Sequence, residues 1–180
     1  RVNVSGTAVQ LTLRESRGTQ FAGATGFLDR RRRTFNNVVE VVFVGNGGAD
    51  SLQVTADLSA VTYLGGEDND SLNISTDSLD VVTASMAGGN DTVSMQTGVS
   101  EVIDVDLGDG DNTFLLTYSL VGAIDVQAGA GTDFAVFTEV ASLPVVGMML
   151  SVVTGAGDDI VVFQSCDITA ADEMMPPILD

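Results

Sequence analysis

The chain has 180 residues, 44% of them hydrophobic and 18% charged, which excludes a disordered acidic tail and predicts one folded domain. Its 25 acidic residues outnumber 7 basic ones, giving a formal net charge of −18. All seven basic residues are arginines between positions 1 and 33, and 23 acidic residues follow without any Lys, Arg or His. Such a surface repels nucleic acid and anionic membranes, so we expect no nucleic-acid partner.

No apolar run approaches the length of about 18 residues that a membrane-spanning helix requires, so we expect no membrane insertion. The chain begins at Arg1 with neither a Met nor a signal-peptide pattern, which predicts a piece of a longer or processed polypeptide. Its only cysteine, Cys166, has no partner for an intrachain disulfide. We interpret Cys166 as a small buried hydrophobic residue rather than a reactive thiol.

The first segment, residues 1–37, carries two strand-like runs, VNVSG and AVQLTL, without the glycine-rich turn that marks the rest of the chain. We predict that it forms an N-terminal cap. Four consecutive arginines, Arg30 to Arg33, lie near its end, and their simplest role is to neutralise the acidic surface of the same chain. A processing site and a contact for an anionic partner are the alternatives.

Residues 38–166 contain six copies of a glycine-rich turn, each closed by an Asp or Asn. The closing residues are separated by 20, 21, 21, 21 and 26 positions, and the five extra residues of the last interval fall in the apolar segment 142–150. Residues after each turn alternate between apolar and polar types, which is typical of a β-strand. In chain order the closing residues are Asp50, Asp70, Asp91, Asn112, Asp133 and Asp159.

Aligning the copies on the first residue of each turn, which is Ala87 in the third copy and a glycine in the others, predicts columns of inward-facing residues. After the turn the columns are Leu52, Leu72, Val93, Phe114, Ala135, Val161 and Val54, Ile74, Met95, Leu116, Phe137, Phe163. Before the turn the same alignment predicts two inward columns, Val44, Leu64, Met86, Leu107, Ala128 and, two residues earlier, Val42, Ala84, Val105, Val126. It places Val41, Phe43, Val61 and Tyr63 outward. We expect the N-terminal segment to cover these outward apolar residues through Phe21 and Phe27.

A period near 21 residues is too short for a strand–helix–strand unit, which needs about 30. The sequence therefore predicts an all-β fold, a single-domain parallel β-helix of about six repeats, coiled in the right-handed sense that parallel crossovers favour. A β-sandwich or a meander of hairpins would not keep the same residue type at the same position of the repeat through six copies. We interpret residues 167–180, with two consecutive prolines, as a C-terminal cap or tail.

The turn sequence G-x-G-x-[DN]-x-U, with U a large apolar residue, occurs at Gly108, Gly129 and Gly155. It resembles the hemolysin-type calcium-binding repeats of secreted bacterial toxins and proteases, whose nonapeptide GGxGxDxUx winds a parallel β-roll. The resemblance covers the turn and not the whole rung, because that family places two such turns in each coil. It implies calcium bound between neighbouring turns by Asp carboxylates and turn carbonyls. The opposite turns, at Asp57, Asp77, Gly98 and Ser119, lack the motif.

Glycine permits a positive φ and close approach of carbonyl groups, while Asp can face a hard cation. The candidate calcium ligands are the closing residues Asp50, Asp70, Asp91, Asn112, Asp133 and Asp159, together with Asp68, Asp109, Asp111, Asp158 and Glu67 in the same turns. In the alternative, Asp and Asn side chains bond turn amides and no metal is bound. Carboxylates one rung apart repel by about 1 kcal/mol in water, so a counter-ion would relieve the stack.

Together these features predict a non-catalytic structural or adhesive module of a larger secreted or cell-surface bacterial protein. Its expected partners are neighbouring domains, glycans or cell-surface components, and the sequence does not fix its oligomeric state. The alternative is a protein that binds or degrades polysaccharide with an outward acidic face at Asp104, Asp106 and Asp125. That face resembles the groove of pectate-lyase-like enzymes, but that family uses Arg or Lys there, and none follows Arg33.

Overall fold

A computed structural model describes residues 2–5, 8–11, 33–36, 38–143 and 149–168. These ranges contain strands and turns, and none of them forms a helix long and apolar enough to cross a membrane. The strands are β1 (Val2–Ser5), β2 (Ala8–Leu11), β3 (Arg33–Asn36), β4 (Glu40–Asn46), β5 (Ser51–Thr55), β6 (Leu58–Gly66), β7 (Ser71–Ala87), β8 (Thr92–Asp106), β9 (Thr113–Gln127), β10 (Phe134–Ser142), β11 (Met149–Val153) and β12 (Ile160–Gln164).

The strands stack as a parallel β-solenoid of about five turns, which confirms the predicted fold class. After each glycine-rich turn, strands β5, β7, β8, β9, β10 and β12 pair in that order and in parallel; we call this the post-corner sheet. Before each turn, β4, β6, the second halves of β7, β8 and β9, and β11 form a second parallel stack, the pre-corner sheet. The glycine-rich turns line up along one edge, the glycine corner.

The core lies between the two sheets and is built from columns of equivalent residues. Leu72, Val93 and Phe114 are register neighbours on successive rungs, and all three are fully buried, as the alternation predicts. Phe114 and Phe137 contact each other with ring centroids 5.5 Å apart, and Phe114 pairs with the small Ala135 in the strand register. Each fully buried side chain of this size contributes about 1.5–3 kcal/mol of hydrophobic stabilisation.

The predicted phase of the first two pre-corner strands is wrong. Phe43 and Tyr63 are buried and stack at 5.0 Å, while Val42 is 54% exposed and Leu64 is also exposed. In these two copies the closing Asp follows the first glycine by five residues, and from Gly108 onward by four, so alignment on glycine shifted the strands by one position. Val41 and Val61 likewise face inward, and Val44 lies on the other side of its strand.

The last rung also departs from the prediction. Val161 and Phe163 continue the two post-corner columns and Phe163 stacks on Phe137 at 4.8 Å, yet Phe163 is 47% exposed. Among the residues that the structure describes, no strand follows β12, so these side chains are covered on one face only. Cys166 is half-buried rather than buried, with Sγ 3.3 Å from the carbonyl oxygen of Phe137.

The two strand-like runs of the N-terminal segment do form strands. β1 pairs in parallel with β5, β2 pairs antiparallel with β1, and β3 pairs antiparallel with β2, so the post-corner sheet continues past its first rung. Phe21 and Phe27 lie outside the described residues, as do residues 169–180 and the five residues 144–148 of the longest repeat.

The corner opposite the glycine corner is closed by polar side chains in the middle rungs. Thr97 and Ser119 are both buried, and the Thr97 hydroxyl donates to Ser119 Oγ at 3.1 Å. Ser119 Oγ in turn donates to the carbonyl oxygen of Thr117 at 3.0 Å. The hydroxyls therefore satisfy one another and the backbone where the chain bends.

Candidate functional site

The six closing residues form one column along the inside of the glycine corner. Asp70, Asp91, Asn112 and Asp133 are each at most 3% exposed, although Asp and Asn are seldom fully buried. Along the column, the backbone N–H of each residue donates to Oδ1 of its counterpart on the next rung. The donor–acceptor distances are 2.7 Å for Asp50 to Asp70, 2.6 Å for Asp70 to Asp91, 2.9 Å for Asp91 to Asn112, 3.0 Å for Asn112 to Asp133 and 3.0 Å for Asp133 to Asp159.

A second ladder runs one residue earlier, on the exposed side of the corner, and in the opposite direction. The N–H of Asn90 donates to Asn69 Oδ1 at 2.8 Å, that of Asp111 to Asn90 Oδ1 at 3.0 Å, and that of Thr132 to Asp111 Oδ1 at 2.9 Å. Further bonds between rungs join Ala130 N to Asp109 Oδ1 and Gly48 N to Asp68 Oδ2. Side chains therefore continue the hydrogen bonding of the sheets where the backbone turns.

Asn112 shows which hydrogen-bonding groups surround the side chains of the inner column, because its Oδ1 can only accept a hydrogen bond and its Nδ2 can only donate one. Its Oδ1 accepts the Asp91 amide, and its Nδ2 donates to the carbonyl oxygens of Gly108 at 3.2 Å and Gly110 at 3.1 Å. The second end of this side chain thus faces carbonyl oxygens of its own turn. A donor suits that place, whereas an ionised Asp carries only acceptors.

Three aspartates of the column have an oxygen for which the described residues supply no hydrogen-bond donor. The Oδ2 atoms of Asp70, Asp91 and Asp133 are buried and have no partner there. Burial raises the pKa of Asp91 to about 6, with a smaller contribution from the charge of Asp70. Burial likewise raises the pKa of Asp70 and of Asp133, although the amides that bond their Oδ1 atoms act in the opposite sense.

Tyr63 lies beside this column, although alignment on the first glycine predicted an outward position for it. Its ring is fully buried, and burial together with the negative charges of Asp70 and Asp50 raises the pKa of its hydroxyl. The signal was available in the sequence, because Tyr63 precedes Asp70 by the same seven positions that separate the buried Ala84 from Asp91.

Glycines let the turns of successive rungs lie against each other. Gly108 has φ of 70° and Gly110 has φ of 122°, values that favour glycine. A Cβ at Gly108 would overlap the carbonyl oxygen of Ala87, and one at Gly110 would overlap the carbonyl oxygen of Gly89. The glycines therefore serve the close stacking of the turns.

The corner therefore brings together many of the predicted ligands, in two separate layers. The closing residues line the inside of the turns, whereas Asp68, Asp109, Asp111 and Asp158 are exposed. No group of three or more His, Cys, Asp or Glu within the described ranges lies close enough to hold a metal ion. The amide bonding of the metal-free alternative is present, but it joins neighbouring rungs instead of closing single turns.

The outward acidic face lies on the pre-corner sheet, away from the corner. Asp104 and Asp125 are register neighbours on adjacent strands, with the exposed Asp106 beside them. Asp125 Oδ2 accepts the Gln127 side-chain amide at 3.2 Å, and Asp125 Oδ1 is shielded from solvent without a hydrogen bond in the described part of the chain. Three carboxyl groups therefore share one surface, as the sequence predicts.

No protein-family model, no curated protein and no solved structure matches this chain.

Proposed function

We propose that the chain is a non-catalytic structural or adhesive module of a larger secreted or cell-surface protein, stabilised by calcium at its glycine corner. The observation that carries this proposal is the inner column, in which Asp70, Asp91 and Asp133 each bury a carboxylate oxygen without a donor among the described residues. A buried acceptor left without a partner costs about 1–3 kcal/mol, and more when it is charged.

The composition supports a cation as the missing partner. Every basic residue lies in positions 1–33, and residues 34–180 carry 23 acidic residues, so the repeats contain no cation of their own. The groups near the inner column that could bind an ion are carboxylate and carbonyl oxygens, the ligands that calcium prefers. An ion there would be held by the buried Oδ2 atoms of Asp70, Asp91 or Asp133 together with backbone carbonyl oxygens of the same turns, and when bound it would supply the missing positive charge.

The solenoid itself supports a structural role. Six rungs at about 4.8 Å each make a stiff body roughly 25 Å long. Its interior is filled by stacked side chains, and its surface carries many exposed acidic residues. Such a body holds the segments at its two ends apart, and its flat sheets offer area for contact with glycans or surface proteins.

Thermal unfolding with and without calcium tests the proposal. With free calcium about 100-fold above its dissociation constant, binding only to the folded state adds about 2.7 kcal/mol, which raises Tm by roughly 5–10 °C. Magnesium at the same concentration controls for simple screening. A triple variant, Asp70→Asn, Asp91→Asn and Asp133→Asn, keeps the amide-accepting oxygens and should lose the calcium response. Equal Tm values for the native chain in calcium and in chelator would refute the calcium part.

Polysaccharide binding or degradation is the second candidate, favoured by the register pairing of Asp104 with Asp125 on one outward face. Neighbouring carboxylates can supply the acid and the base of glycoside hydrolysis. The double variant Asp104→Ala and Asp125→Ala should abolish activity on, or binding to, acidic and neutral polysaccharides while Tm stays within a few degrees. No binding and no turnover by the native chain would eliminate this candidate.

A further inference from the structure

We propose that copies of this chain associate head to tail, with β3 of one copy pairing alongside β12 of the next. The partner is a second copy, and the interface is the pair of open edges at the two ends of the post-corner sheet. This inference concerns the ends of the solenoid and is independent of calcium at the corner.

The two edges belong to one continuous sheet. Its strand order is β12, β10, β9, β8, β7, β5, β1, β2 and β3, so β12 and β3 are its outermost strands. Within the described ranges each of these strands is paired on one side only. An open edge presents unpaired N–H and C=O groups, which template the addition of another strand.

The strand directions fit head-to-tail stacking. β1 runs parallel to β5 and therefore to β12, since every pairing between β5 and β12 is parallel. β2 is antiparallel to β1 and β3 is antiparallel to β2, so β3 points the same way as β12. A copy shifted along the solenoid axis would thus present β3 to β12 in parallel, and the ladder of the solenoid would continue across the interface.

Charge favours the same arrangement. Arg33 is the first residue of β3, and Arg30, Arg31 and Arg32 precede it directly in the sequence. At the other end, Asp158 and Asp159 precede β12 and Asp167 follows it. The arginine run that leads into β3 of one copy would therefore meet the aspartates that flank β12 of the next, whereas two like edges would repel.

The β12 end is also apolar. Ile160 is 53% exposed and Phe163 47% exposed, and both lie on the strand that forms the open edge. Their neighbour Phe134 on β10 is exposed as well. A hydrophobic edge strand of this kind gains stability from being covered by a further strand.

Sedimentation velocity of the whole chain over a range of protein concentrations tests the association. We expect species larger than a dimer at low ionic strength and dissociation as salt is added, because screening weakens attraction between exposed charges. If association ended at the dimer at every concentration, the proposal would be overturned. Pairing of two like ends forms a closed dimer, whereas head-to-tail pairing leaves one open edge at each end of the assembly. A chain that is monomeric at every concentration would overturn it too.

Charge-reversal variants then identify the ends. Arg32→Glu with Arg33→Glu changes the β3 end, and Asp158→Arg with Asp167→Arg changes the β12 end. Each double variant alone should associate at least about tenfold more weakly, and an equimolar mixture should regain association because every contact is again between opposite charges. The matched control, Arg14→Glu with Arg17→Glu, makes the same charge change outside β3 and outside the arginine run that leads into it in the sequence, and it should associate like the native chain.

Far-UV circular dichroism confirms that each variant is folded before it is compared. Association that is unchanged in both charge-reversal variants would overturn the assignment of the ends. If the chain associated only after deletion of residues 169–180, its own C-terminal tail would be what covers the β12 edge, and this result would likewise overturn the proposal. All of these measurements are made in chelator, because Asp158 is one of the candidate calcium ligands, and their results therefore leave the test of the corner untouched.

Discussion

The backbone N–H of Asp91 donates to Oδ1 of Asn112 on the next rung at 2.9 Å, so an aspartate and an asparagine occupy equivalent places in one buried column. The other end of the Asn112 side chain donates to two turn carbonyls, whereas Oδ2 of Asp91 finds no donor among the described residues. The same column thus contains a side chain whose two polar ends are both hydrogen-bonded and one that has an oxygen without a donor among the described residues. The effect of this difference on the free energy of unfolding can be measured.

Asp91→Asn should stabilise the chain when calcium is absent. The new Oδ1 still accepts the Asp70 amide, and the new Nδ2 replaces an unsatisfied buried oxygen with a donor. We expect a gain of about 1–2 kcal/mol and a Tm higher by roughly 2–8 °C in chelator. The exposed control, Asp111→Asn, also keeps its bond to the Thr132 amide and should change Tm by much less. An equal gain in both variants would mean that charge reduction alone is responsible.

Asn112→Asp should have the opposite effect. It removes the two bonds from Nδ2 to Gly108 and Gly110 and places a carboxylate between Asp91 and Asp133. We expect a loss of about 2–4 kcal/mol near neutral pH in chelator, measured by urea unfolding. If calcium binds this corner, it should restore part of the loss. Stability equal to that of the native chain would contradict the role assigned to the Asn112 amide.

Stability in chelator should rise on mild acidification. The pKa of Asp91 is about 6 when folded and 3.8 in its ordinary state, so the folded chain binds the proton more tightly. This contribution is fully present below about pH 4 and is lost as the pH rises through about 6, at a cost on the order of 1–3 kcal/mol. Tm should therefore be higher near pH 5 than near pH 7.5, and Asp91→Asn should flatten the profile. A native Tm that falls on acidification over this range would contradict it.

The sequence predicted the solenoid and the closing residues because one residue type recurs at one spacing, and only stacked rungs satisfy that pattern. The alternation of apolar and polar residues could not by itself fix the phase of the first two pre-corner strands, since Val41 to Val44 are apolar or aromatic on both sides. Counting back from the closing Asp instead of forward from the first glycine gives the correct phase, because the Asp is the residue that the ladder holds in register.

Other features of the corner lie beyond the reach of the sequence. Whether Asp side chains bond amides within a turn or between rungs depends on how closely the turns stack, which is a property of the assembled solenoid. The exposure of Phe163 depends on whether a further strand covers β12. The sequence around Phe163 alternates in the same way as the sequence around Phe137, which is buried. Local patterns therefore predicted which residues share a column and left open which partners those residues meet.

Gly108→Ala should destabilise the chain strongly. A Cβ there would overlap the Ala87 carbonyl oxygen, and φ of 70° is unfavourable for alanine. We expect a loss of about 2–4 kcal/mol in urea unfolding. Gly47→Ala is the matched control, since a Cβ at Gly47 meets no atom within 4 Å, and it should change stability by at most about 0.5 kcal/mol. Similar losses in both variants would mean that tight stacking at Gly108 is not the cause.

The ladders that join one rung to the next give the solenoid a particular response to mechanical load. Their hydrogen bonds run along the stacking axis, so a pull on the two ends strains one rung boundary at a time instead of shearing all of them together. Each rung that peels away releases 21 residues, or roughly 7 nm of extended chain, and the longest repeat releases 26, or roughly 9 nm. A solenoid of this kind should lengthen in such steps under tension, and the steps can be measured by pulling on the two ends of a single chain.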